Sequence, residues 1–186
     1  MDHRTVTAFN GNRFFASGKL EDVALRVHEA GQGADRVLIF DDNTGRLVDL
    51  DHREPAPAMP EPEEDAGRSS PRRPGRPKLG VVAREVTLLP RHWDWLARQP
   101  GGASVALRRL VDEARRLRAE EDKRREAREA CYAFISAMVG DEVGFEEASR
   151  ALFAGDAARF GEKLASWPED VAAHARHLAS PAFAAA

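Results

Sequence analysis

With 186 residues, 42% of them hydrophobic and 32% charged, the chain can hold one ordinary domain or two to three small ones. Its net charge of -3 hides a segregation: residues 67–128 carry 17 Lys and Arg against 8 Asp and Glu, an excess of nine positive charges, while the remainder carries 11 against 23, an excess of twelve negative ones. The single cysteine, Cys131, excludes an intrachain disulfide and a cysteine-built metal cluster, and no stretch approaches the ~18 apolar residues of a spanning helix.

Residues 1–50 read as a small α+β unit. Thr5-Val6-Thr7-Ala8-Phe9 alternates as a strand does, Asn10-Gly11 signals a two-residue hairpin loop, and Arg13–Ala16 returns as the partner strand. Leu20–Ala30 follows as a helix with Leu20, Val23, Ala24 and Val27 on one face. Arg36-Val37-Leu38-Ile39-Phe40 is a buried-strand run, Asp42-Asn43-Thr44-Gly45 a turn, and Arg46–Leu50 a last strand, so the expected order is ββαββ.

Residues 51–80 read as a disordered linker. Pro55, Pro57, Pro60 and Pro62 block regular structure, and Glu61, Glu63, Glu64 and Asp65 make its first half acidic. Its second half is a basic arm, Pro71-Arg72-Arg73-Pro74-Gly75-Arg76-Pro77-Lys78. In residues 81–118 a short apolar strand, Arg84–Pro90, precedes a helix starting at Pro90. The break Pro100-Gly101-Gly102-Ala103-Ser104 follows, then a second helix with Ser104 as its expected N-cap. That helix is expected to continue as a charge-laced extension to Met138, with an exposed middle and apolar spacing resuming at Ala127, Ala130, Cys131 and Phe134. Residues 119–186 form the C-terminal helices: Gly144–Ala154, one capped by Asp156, and one opened by Trp167-Pro168.

Strand, helix, glycine turn and helix over Val82–Leu117 resemble the ribbon-helix-helix family of DNA-binding proteins. The resemblance implies a dimer whose paired strands form a ribbon in the major groove, with Val86, Leu88, Trp93, Leu96, Leu107, Leu110 and Val111 in the dimer core. It places Thr87 on the groove face, Arg84 and Arg91 on phosphates, and Ser104 at a helix start suited to a phosphate. Leu88-Leu89 breaks the polar–apolar alternation usual in that family, so a second register, with Arg84, Val86 and Leu88 outward, stays open. The arm resembles an AT-hook through Gly75-Arg76-Pro77; the resemblance implies minor-groove contacts from Arg72, Arg73, Arg76 and Lys78. Pro74 departs from the usual order of that motif. Taken whole, the chain is also similar to an uncharacterised bacterial protein family, through runs such as Leu38-Ile39-Phe40-Asp41-Asp42, Gly75–Trp93 and Gly144-Phe145-Glu146-Glu147-Ala148.

No acid, base or nucleophile constellation for catalysis stands out, and no cofactor is implied. His174 and His177, three apart on the last helix, read as surface histidines rather than metal ligands. Cys131, beside Tyr132, Phe134 and Ile135, reads as a buried structural thiol. Met1-Asp2-His3-Arg4 lacks the apolar run of a signal peptide, so a cytoplasmic protein without membrane contact is expected. The function that follows is a dimeric DNA-binding protein, a transcriptional regulator or nucleoid-associated factor with modest A·T-biased preference. The alternative is a homodimeric interaction protein or antitoxin-like scaffold whose basic region binds a protein or RNA partner. In either case the N-terminal unit and the C-terminal helices are available to a further protein partner.

Overall fold

The computed structural model describes residues 5–31, 37–49, 82 and 84–184. The class is α+β: a three-stranded antiparallel sheet near the N-terminus, then a long helical region. The chain divides into two compact units, residues 1–50 with 114–186, and residues 51–113.

In the first unit β1 (Thr5–Asn10) pairs with β2 (Arg13–Lys19) on one side and β3 (Val37–Asp41) on the other, giving the order β2-β1-β3. Asn10 pairs with Arg13, so the hairpin loop is Gly11-Asn12, one residue later than expected. Gly11 takes a positive φ of 57° in the loop. Phe9 pairs with Phe14 but Ala8 with Ala16, a bulge that leaves Phe15 without an opposite residue. Of the last expected strand, Arg46–Leu50, Leu50 lies outside the described residues, and the described residues 46–49 form one bridge, Phe40 to Leu47. Two hydrogen bonds, Asp41 N–H to Arg46 O and Val48 N–H to Ile39 O, hold it to β3, and they are too few to extend a ladder. Among the described residues the expected ββαββ order is therefore ββαβ plus a bridge.

β1 is buried on both faces. Val6 and Ala8, with Ala16 and Ile39, pack on Val23 of α1 (Leu20–Glu29). On the opposite face Phe9 and Phe40 enter the core formed by α3 (Gly102–Val139), α4 (Phe145–Ala154), α5 (Ala157–Leu164) and α6 (Glu169–Ala179). Phe134 of α3 meets Phe40 edge-on at 4.9 Å between ring centroids, and Phe9 at 5.4 Å. All three rings are fully buried. Burying a side chain of this size is worth about 1.5–3 kcal/mol, so the three together rival the whole stability of an ordinary domain. The sheet and the C-terminal helices thus share one core, although ~85 residues of other chain separate them in sequence at this junction.

Polar bonds pin the same junction. Phe14 N–H of β2 donates to Asp170 Oδ2 in the first turn of α6 at 2.8 Å. The buried Cys131 thiol donates to Ala175 O at 3.5 Å, and burial pushes its pKa up to about 12, which leaves it inert as expected. Asp156 caps α5, accepting from Arg159 N–H at 3.0 Å, as its position in the sequence implies. Trp167 Nε1–H donates to Val143 O at 3.2 Å, anchoring the approach to α6.

The turn after β3 is organised by Asp41, whose Oδ1 accepts from Asn43 N–H at 2.9 Å and Thr44 N–H at 3.0 Å. Gly45 follows at φ 64°, and a Cβ there would overlap the carbonyl oxygen of Ala130 on α3. Gly11 has a similar φ of 57° but no atom near its missing Cβ. Gly11→Ala should therefore cost only the left-handed backbone strain, about 1–2 kcal/mol. Gly45→Ala should cost at least about 3 kcal/mol, because α3 or the turn must move as well. Urea unfolding of the two variants checks this; equal costs would contradict the close approach.

Candidate nucleic-acid interface

In the second unit α2 (Pro90–Ala97) starts with proline at its first position, where no hydrogen-bonded N–H is needed. Its backbone closes through Gly102 N–H to Gln99 O at 3.0 Å, and Gly101 and Gly102 take φ of 83° and 77° to turn the chain into α3. Helix α3 begins at Gly102, so Ser104 lies inside the first turn instead of capping it. Its N–H is still one of the leading groups that lack an intrahelical acceptor. The expected extension is borne out as one uninterrupted helix to Val139, exposed throughout Arg108–Glu121. Farther along it, Arg125 bonds Asp122 at 3.0 Å and Glu129 at 3.4 Å. These pairs are exposed to solvent and screened, so they add little to stability.

Arg84–Leu89 forms no strand with any described residue. A strand is defined by its ladder, and this segment has no ladder partner in its own chain among the described residues. Leu89 enters α2 in extended conformation, at φ -67° and ψ 149°. Arg84, Thr87, Arg91 and Ser104 are all exposed, as contacts to DNA require. Arg72, Arg73, Arg76 and Lys78 lie outside the described residues.

Of the expected dimer core, only Leu96 is buried within the chain, at 2% exposure. Leu88 and Leu107 are half-buried, while Val86, Trp93, Leu110 and Val111 are 40–55% exposed. Sequence reasoning left out Trp95 and Val105, which are exposed to a similar degree, as is Leu89; their irregular spacing hid them from a periodicity search. The exposed Arg108 and Arg109 also add positive charge on the first turns of α3.

A second polar constellation lies in the other unit. His174 of α6 is not a surface residue: its side chain is 9% exposed, wedged 4.6 Å from Phe134 and 5.4 Å from Phe9 between ring centroids. Its Nε2 has no hydrogen-bond partner and lies 3.8 Å from Asp42 Oδ1, which accepts the Thr7 hydroxyl at 2.7 Å. Burial holds the His174 pKa below the ordinary imidazole value; the Asp42 carboxylate opposes that shift and neighbouring His177 adds to it. Thr7 donates its proton to the carboxylate, so it is not activated as a nucleophile by the histidine. Among the described residues no group of three or more His, Cys, Asp or Glu is arranged to hold a metal ion. Nor is any helix there long and apolar enough to cross a membrane.

The fold is thus that of a mixed α+β protein in which a small antiparallel sheet is built onto a helical core. The chain belongs to a family described as an uncharacterized protein conserved in bacteria (DUF2239), whose model matches residues 5–179. No curated protein and no solved structure matches it.

The His174 geometry sets a pH dependence. Its folded pKa lies below that of the unfolded chain, so the unfolded state binds more protons, and stability is full above about pH 6.5 and lost as pH falls below it. His174→Gln should remove that part of the acid limb. Urea midpoints measured against pH check it; an unchanged limb in the variant would contradict the buried neutral imidazole.

Proposed function

We propose that the chain is a dimeric DNA-binding protein, a transcriptional regulator or nucleoid-associated factor, with residues 81–118 as a ribbon-helix-helix-like unit and the basic arm as its supplement. The observation that carries the reading is that Val86, Trp93, Leu110 and Val111 are each 40–55% exposed in the single chain, within a stretch of sequence that carries nine excess positive charges. A second copy packed against these side chains would take them out of water. A partner strand would also complete the ladder that Arg84–Leu89 lacks.

In this reading Arg84 and Arg91 hold phosphates, Thr87 faces the groove, and the leading N–H groups of α3 near Ser104 add a phosphate clamp. With Glu85 and Leu89 as its neighbours, Thr87 reads few base edges. The preference is therefore modest and biased toward A·T-rich or deformable sites. A homodimeric scaffold that uses the same basic region on a protein or RNA is the second reading; it shares the dimer and differs in what the basic region binds.

Leu110→Asp should place a charge in the dimer core and monomerise or unfold residues 81–118. Sedimentation or light scattering checks this, and a monomeric wild type at micromolar concentration would contradict the dimer.

Replacing Arg72, Arg73, Arg76 and Lys78 with alanine should weaken duplex binding and reduce its log–log salt slope by about 0.9 per lost phosphate contact. The loss from Arg76→Ala should be larger on A·T-rich than on G·C-rich duplexes. Fluorescence anisotropy across a salt series measures both. An unchanged slope would mean that the arm does not touch DNA, and tighter binding to RNA or protein than to any duplex would favour the second reading.

A further inference from the structure

A cavity of about 430 Å³ opens beside the turn that follows β3, wholly within the unit formed by residues 1–50 and 114–186. Arg46 lines it together with Glu126 and Glu129 of α3, and with Tyr132 and Phe153. Arg46 makes no ion pair with any described residue, although two carboxylates line the same space. Glu126 has only a 4.0 Å approach from Arg125, and Glu129 a 3.4 Å one from the same exposed guanidinium. Glu129 accepts a hydrogen bond from Arg125, whereas Arg46 forms no ion pair with Glu126 or Glu129 across the cavity they line. The Tyr132 and Phe153 rings meet edge-on at 5.5 Å, and both remain 41–52% exposed. Asn43 and Thr44 add an amide and a hydroxyl from the turn, which the approach of Gly45 to Ala130 fixes against α3.

We infer that this cavity binds a small zwitterion with an apolar body, namely a free α-amino acid carrying an aromatic or branched side chain. Arg46 takes the carboxylate, since a guanidinium presents paired donors that match its two oxygens. Glu126 and Glu129 take the ammonium. Tyr132 and Phe153 take the side chain, and they also favour a cation near their faces. The volume falls within the roughly 300–1,000 Å³ of small-molecule sites, so one amino acid fits it. The inference does not rest on the DNA-binding reading, because none of these residues belongs to residues 51–113.

Isothermal titration of the full chain with L-phenylalanine and L-leucine tests it, alongside N-acetyl-L-phenylalanine and L-phenylalaninamide. Saturable binding of a free amino acid is expected below about 1 mM, with each capped form at least about tenfold weaker because one charge is lost. Arg46→Gln should weaken the free amino acid toward the affinity of the amide, and Glu126→Gln toward that of the acetylated form. Both variants should keep the wild-type circular dichroism, since both side chains are exposed. Absence of binding by either amino acid up to about 10 mM, or equal binding of free and capped forms, would overturn the inference. The capped ligands keep the test decisive even where a variant fails to fold.

Discussion

The structure of the first unit depends on one strand with two apolar faces. β1 is the central strand, and alternate residues send Val6 and Ala8 toward α1, and Thr7 and Phe9 toward the helices. A small three-stranded sheet with one helix buries too little surface to be stable by itself. Phe9 and Phe40 resolve that by entering a core whose other walls are α3, α4, α5 and α6, with Phe134 as the ring that both meet. The helices gain as well, because Phe9 and Phe40 of the sheet cover Phe134, which shares one buried face of α3 with Cys131 and Ile135.

That arrangement explains why the polar groups at the junction are so few and so specific. Asp170 accepts a backbone N–H of β2, and Asp41 closes the turn that lets Gly45 touch α3. His174 is the exception: an imidazole among phenyl rings with Asp42 too distant for a good hydrogen bond. It is tolerated because the neutral ring packs like an aromatic side chain, at the cost of stability in acid.

Much of the local structure was legible in the sequence, because local structure follows from local rules. The alternation in Thr5–Phe9, the spacing of Leu20, Val23 and Val27, the Asp156 cap and the single helix continuing to Val139 each rest on neighbours a few residues apart. The hairpin loop was misplaced by one residue because both Asn10-Gly11 and Gly11-Asn12 satisfy the turn, and only pairing with Arg13 decides between them. The shared core could not be read, since an apolar face announces that it needs a partner without saying which. His174 looked exposed for the same reason: its spacing from His177 carries no sign of Phe9, which lies far away in sequence. The segment Arg84–Leu89 has strand chemistry without a ladder in its own chain, so its conformation depends on contacts that no single-chain pattern encodes. Of the candidate interface, the positive charge and most of the apolar positions were legible; Trp95 and Val105 were not. The cavity beside Arg46 was invisible because its walls come from a turn, one helix and the end of another.

The most direct test of the shared core is native-state hydrogen exchange of the full chain at increasing denaturant. If Phe9 joins the sheet to the helices, the amides of Val6–Phe9 in β1 and of Val171–Ala175 in α6 should exchange through one opening, with equal free energies and equal denaturant slopes. β1 amides that exchange at distinctly lower free energy, with a smaller slope than those of α6, would mean that the sheet opens by itself, and would contradict the account.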